Sequence, residues 1–325
     1  MGKLPSDVLA RVLADFGPWP ADVLLGPAVG EDACALDVPA GVLVAATDPI
    51  TLTGREIGRL AVTVNANDVA VMGVRPRWFL ATVLMPPGTS EAEVEELFAA
   101  MRGALAGVGA VLVGGHTEIT DAVNQTVVVG QMLGVAARGD VVSTAGARPG
   151  DVVVQVGAAP IEGAAVLVAE ATGRLGGLDP EARRVAAGGL EEPGVSVVEA
   201  ALAAAALGAT ALHDPTEGGL AAALHELAAA AGVAVRVDRS EVLWSEAGVA
   251  VCRALGADPW AVLASGSLLA TFDPARAAGA VDALAGLGHV VAAIGTVQAG
   301  SGVRDLDDRP IAWPERDEVA RLLTP

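Results

Sequence analysis

Strand-like apolar runs alternate with helix-like segments along this chain, and the alternation breaks at one place, Gly139–Gly150. Before the break the pattern predicts a helix over 6–16, strand pieces at 22–25 and 33–37, and a β-type run at 41–46 that stops at Thr47-Asp48-Pro49. A helix over 55–72 follows, closed by Gly73, and then a strand over 78–85 ended by Pro86-Pro87. Ser90 with Glu93 three residues on forms a capping box for a helix reaching about 105. A strand at 110–113 then leads into Gly114-Gly115-His116-Thr117-Glu118, before another at 125–135. Beyond the break, helices are expected near 161–173, 181–187, 195–207, 218–231, 242–255 and 275–286. Strands fall between them near 152–157, 209–213, 233–237, 264–271 and 290–297. Such layering gives an α/β to α+β class. The expected division is an N-terminal domain over 1–145, a C-terminal α+β domain over 146–303, and a polar tail over 304–325 with one short helix.

With 325 residues there is room for two cores, and 53% apolar against 18% charged residues is a globular composition. A net charge of −19 and the lack of a basic stripe argue against nucleic acid and anionic lipid as partners. Small polyphosphates are not excluded, because bound cations can bridge them to an acidic protein. Mean hydropathy is +0.53, but the most apolar stretches, 197–212 and 219–237, are interrupted by Glu199, His225 and Glu226. Neither reaches the roughly 18 uninterrupted apolar residues of a spanning helix. The start lacks a secretory pattern, and Cys34 and Cys252 have no metal-ligand spacing, so a cytoplasmic protein with two packing thiols is expected. Lys3 is the only lysine and there is no GxxxxGK[ST] run, which excludes a P-loop nucleotide site.

The helix over 55–72 carries the first chemical signal. At 100° per residue, Ile57, Leu60, Ala61, Val64, Val71 and Met72 share a face, with Asp68 at its middle and Asn65 and Asn67 on its flanks. A carboxylate on a core-facing stripe needs compensation, either from backbone N–H groups or an arginine, or from a cation. Asp32, in Gly30-Glu31-Asp32, and Asp48, at the end of the 41–46 run, add acids at strand ends. With Asp68 they supply the oxygen ligands that Mg²⁺ and a triphosphate require. Gly114 and Gly115 would let backbone approach a phosphate, and Thr117 would bond to it. His116 is open to reading as metal ligand, phosphate contact or turn residue. In the second half, His213-Asp214-Pro215-Thr216-Glu217-Gly218-Gly219 joins a strand to a helix. Asp214 or Thr216 would cap that helix, leaving an anion-binding end.

These segments, in this order, resemble the aminoimidazole-ribonucleotide-synthetase (PurM) superfamily over about residues 20–300, and within it the HypE hydrogenase-maturation branch. The most specific piece is GREIGRLAVTVNANDVAVMGVRP at 54–76, joined by GEDA (30–33), TD (47–48), GGHTE (114–118) and HDPTEGGL (213–220). The resemblance implies a two-domain PurM-like fold whose N-terminal, ferredoxin-like sheet pairs with its twin in a homodimer. It implies ATP and Mg²⁺ as cofactors, with Asp32, Asp48 and Asp68 as metal ligands. Asn67, Gly114, Gly115, Thr117, Thr216, Gly218 and Gly219 would lie around the nucleotide, and Asp68, His116 and Asp214 would be catalytic. Family members use ATP to activate an oxygen as a phosphorylated intermediate.

The departures from the HypE pattern are specific. The chain ends Arg321-Leu-Leu-Thr-Pro325 without the branch's terminal cysteine, and His116, Glu217 and Glu162 replace an aspartate, an arginine and a histidine. An ATP-dependent enzyme with a different acceptor is therefore expected. A thiamine-monophosphate-type kinase and a nucleotide-binding scaffold without chemistry are the alternatives.

Overall fold

A computed structural model describes residues 2–3, 6–25, 35–36, 38, 41–51, 56–137 and 139–323. The chain divides into two compact units, the first reaching Val141 apart from Val71–Gly73, the second formed by those three residues and Val142 onward.

The first unit runs β1 (Gly2–Lys3), α1 (Ser6–Ala14), β2 (Val23–Leu25), β3 (Ala35–Leu36), β4 (Val42–Ile50), α2 (Ile57–Ala70), β5 (Trp78–Met85), α3 (Glu91–Val108), β6 (Val111–Ile119) and β7 (Val127–Ala136). Its five-stranded sheet has the order β1-β6-β5-β7-β4, with β5 and β6 parallel and the other pairs antiparallel; β2 and β3 form a small separate sheet. The helices cover one face of a mixed sheet, as in a ferredoxin-like layer. Helices α2 and α3, however, both precede β6, and β6 and β7 follow without a helix between them, so the element order is not the β-α-β-β-α-β one. Phe79, Ala81, Val83 and Met85 of β5 point to the helices and are buried. The alternate residues face away, where Leu43 of β4 stays 51% exposed.

Helix α3 begins with the expected capping box: the Ser90 hydroxyl accepts from the Glu93 N–H, and the Glu93 carboxylate accepts from the Ser90 N–H at 2.7 Å. Helix α2 packs against α3 and against β4 and β7 of the sheet. A Cβ on Gly58 would stand 2.4 Å from the Leu97 carbonyl, so glycine permits this close helix crossing. Sandwiched in this way, α2 is buried on nearly all sides. Two strands run further than their sequences suggest. β4 continues through Thr47-Asp48-Pro49 to Ile50, with Pro49 tolerated because β4 is an edge strand. β6 absorbs Gly114–Glu118, which reads as a loop.

The second unit runs β8 (Val152–Val156), α4 (Glu162–Glu170), α5 (Pro180–Ala187), α6 (Val198–Ala206), β9 (Ala211–His213), α7 (Gly219–Ala231), β10 (Ala234–Val237), α8 (Glu246–Leu255), β11 (Leu268–Phe272), α9 (Pro274–Gly286), β12 (Val291–Gln298), β13 (Gly302–Asp305) and α10 (Glu318–Leu323). Its sheet has the order β13-β10-β12-β8-β11-β9. Leu220, Leu224 and Leu227 of α7 join Val153, Val235, Leu269 and Val297 of the sheet in one core. A second core gathers α4, α5, α8 and α10 around Leu167, Ala186, Val251, Cys252 and Val319. The segment after 303 carries the short helix α10 and is anchored by Ile311 and Val319, each under 5% exposed.

Candidate functional site

In the first unit the site is built around Asn65, which is fully buried on α2. Its carboxamide accepts from the Asp48 N–H at 2.8 Å and donates to the Asp48 carbonyl at 3.2 Å, as a neighbouring strand would. A third bond, 2.8 Å to the Ala61 carbonyl, fixes the rotamer. Room for this group comes from Gly130 on β7, where a Cβ would stand 2.4 Å from Asn65 Nδ2. The edge strand is thereby clamped to the helix at the aspartate. Burial raises the Asp48 carboxyl above its ordinary range, so its charge lacks full compensation from the protein.

Asp68 lies one turn beyond Asn65 on the same helix, at a spacing that makes the two neighbours. It is half-buried, whereas Asn65 and Asn67 are at most 1% exposed. The expectation that Asp68 occupies the middle of the core stripe is thus corrected: α2 has no single buried face, and the asparagines sit deeper. Asp48 is likewise inside β4, not beyond its end. Asp32 lies outside the described residues, together with the rest of Gly30–Ala33. Among the described residues no three or more His, Cys, Asp or Glu side chains gather closely enough to hold a metal ion. Mg²⁺ needs only one or two carboxylates when phosphate oxygens and water complete its shell. Asp48 on β4 and Asp68 on α2 are the two described carboxylates of the expected cation site.

The Gly114–Glu118 run divides between the faces of the sheet. His116 pairs with Thr82 and lies on the open face, its ring nitrogen 3.5 Å from Glu118. Asp48, in register with Gly130 and through it with Ala81, faces the helices, as does Thr117 through its pairing with Val83. His116 is therefore not brought together with Asp48 and Asp68. Gly115, at φ 147°, approaches β5 so closely that a Cβ would stand 2.0 Å from the Ala81 carbonyl. Within the described residues its glycine requirement is met by strand packing.

In the second unit, Asp214 is buried and Thr216 half-buried, but neither caps α7. The cap position is Gly218, at φ 77°, whose N–H donates at 2.7 Å to Asp317 Oδ2 from the C-terminal segment. The other Asp317 oxygen accepts from the Val319 N–H at 2.7 Å. Burial raises the Asp317 carboxyl, offset in part by backbone N–H groups including those of Gly218 and Val319. The expected anion-binding end of α7 thus holds the chain's own carboxylate. Gly219, at φ 64°, would place a Cβ 2.6 Å from the carbonyls of Trp260 and Val262. Glu162 is buried in the first turn of α4. Cys252 is fully buried, and its thiol is pushed up to about 12 by that burial, so it is inert at neutral pH. Cys34 lies outside the described residues.

Residues 30–136 match the N-terminal domain of AIR synthase related protein, and residues 148–307 match its C-terminal domain. The chain belongs to the AIR synthase related protein family. Carbamoyl dehydratase HypE of Azotobacter vinelandii is 30% identical over 92% of this chain and 85% of its own length. HypE of Cupriavidus necator is 31% identical over 82% and 77%. Thiamine-monophosphate kinase of Methanospirillum hungatei is 31% identical over 67% and 73%. Among solved structures, E. coli HypE superposes with a TM-score of 0.79 at 24% identity, covering 97% of this chain and 98% of that one, which shows the shared fold. A hydrogenase maturation protein HypE solved in complex with ATP has a TM-score of 0.71 at 25% identity, covering 90% of each chain. The two-domain PurM-like fold is therefore that of this AIR synthase related protein. No helix among the described residues is long and apolar enough to cross a membrane.

Proposed function

We propose that this AIR synthase related protein binds Mg²⁺-ATP in its first unit and phosphorylates an oxygen of a small amide, carbonyl or phosphate acceptor, releasing ADP. The observation that carries this reading is the Asn65 clamp, which ties Asp48 to the helix bearing Asp68 through bonds to both the Asp48 N–H and C=O. The HypE relative solved with ATP supports nucleotide binding. Asp48 and Asp68, with Asp32, would hold the cation, which when bound would offset phosphate charge. Asn65 keeps the edge strand in register, and half-burial keeps bulk water from fully solvating the carboxylates. Work of this kind is positioning and electrostatics, with little covalent chemistry asked of the protein. A homodimer through the open sheet face, and a cytoplasmic setting, belong to the same proposal.

With Glu162 and Glu217 standing where the HypE branch has a histidine and an arginine, the chain would act on a different acceptor. The kinase relative at 31% identity supports a second reading, phosphoryl transfer to a stable product. Supplying ATP with candidate amide and phosphate acceptors, and following products by ³¹P NMR, separates the two. The first reading predicts ADP with free phosphate or a short-lived phosphorylated species; a stable phosphorylated acceptor would favour the kinase. No acceptor-stimulated ADP at all, with ATP bound, would leave a nucleotide-binding scaffold.

A further inference from the structure

The second unit also contains a cavity of about 450 Å³ lined by Trp244, Glu246, Val249, Ala250, Arg253, Pro259 and Trp260. That volume lies in the range of small-molecule sites. The chain has five tryptophans and no tyrosine, and two of the five form the walls of this one cavity. Their rings meet edge to face, with centroids 5.0 Å apart and an interplanar angle of 81°.

The backbone carrying both rings is fixed. Trp244 lies in a bridge with Ala159, and the Ser245 N–H donates to the Ala159 carbonyl at 2.8 Å. The Trp260 N–H donates to Asp258 at 3.1 Å, and the Arg239 guanidinium sits 5.2 Å from the centre of its ring. Arg239 is itself paired with Asp305 at 2.8 Å, so its charge is already matched. Arg253 differs. It is exposed on α8 at the cavity edge and makes no ion pair or side-chain hydrogen bond among the described residues. Glu246 lies seven residues earlier, about 10 Å along the helix axis, too far to neutralise it.

A preformed aromatic corner with a single unmatched cation selects a ligand by two criteria, a flat ring and one negative group. We propose that this cavity binds a small planar aromatic anion, its ring against Trp244 and Trp260 and its acidic group on Arg253. Glu246 disfavours a second anionic group at the far end and accepts from a donor placed there. Because the Trp260 carbonyl packs against Gly219, an occupant would also steady the start of α7.

The cavity lies in the second unit and Asp48 and Asp68 in the first, so the two proposals are tested by separate variants. Titrating the full chain with 1-naphthyl phosphate, 2-naphthoate and neutral 1-naphthol, followed by tryptophan fluorescence and calorimetry, tests it. At least one anion should bind and quench; whichever binds more tightly assigns phosphate or carboxylate. Arg253→Ala, at an exposed position, should weaken the anions about tenfold or more while leaving naphthol unchanged. Trp260→Leu should abolish binding of all three, and Asp68→Ala should bind them as wild type does. Failure of both anions to bind at millimolar concentration, or unchanged anion affinity in Arg253→Ala, would overturn the proposal.

Discussion

Asn65 directs its whole carboxamide at backbone groups, two on Asp48 and one on Ala61, at full burial. Removing it leaves a buried N–H and carbonyls without that partner, a loss of about 1–3 kcal/mol. Asn65→Ala should therefore lower unfolding free energy by that amount in urea titrations. Asn65→Asp should be at least as damaging, because it turns a donor into a charged acceptor facing two carbonyls. Wild-type stability in either variant would contradict the clamp. The sequence places polar residues at 65, 67 and 68 on a helix with apolar neighbours, and that much is legible. Their order of burial is not, because a helical wheel assumes one buried face and α2 is enclosed by both a helix and a sheet. The partner of Asn65, the Asp48 backbone, lies 17 residues away and leaves no local signal.

At the scale of elements, patterns with local causes were readable and those with distant causes were not. β5 is found at 78–85, as its apolar run and following prolines indicate, and α3 begins at its capping box. β4 and β6 outrun their expected ends because Pro49 and the Gly114-Gly115 pair suggest breaks. In fact an edge strand tolerates the proline, and Gly115 permits close approach to Ala81. The cap of α7 comes from Asp317, 99 residues beyond Gly218, so Asp214 and Thr216 looked like the natural candidates. Asp317→Ala should cost about 1–2 kcal/mol, the usual worth of a cap. Hydrogen exchange at the Gly218 amide should accelerate with it. Unchanged protection there would mean that the C-terminal segment does not hold the loop.

For the molecule as a whole, two compact units and the alternation that builds them were evident from the sequence, whereas the open sheet face was not. That face leaves Leu43 half exposed, with Leu80, Val129 and Leu133 on the same side. If it pairs with a second copy, wild type should sediment as a dimer and Leu43→Asp should shift it towards monomer. A monomeric wild type, or a variant as dimeric as wild type, would contradict pairing through this face. The central claim remains the nucleotide site of the first unit. Its most direct test is calorimetric titration of the full chain with ATP, with and without Mg²⁺, beside Asp68→Ala. Mg²⁺-dependent binding that Asp68→Ala abolishes, in a variant that remains folded, is the predicted result. ATP that fails to bind a folded wild type, or that binds both proteins equally, would contradict it.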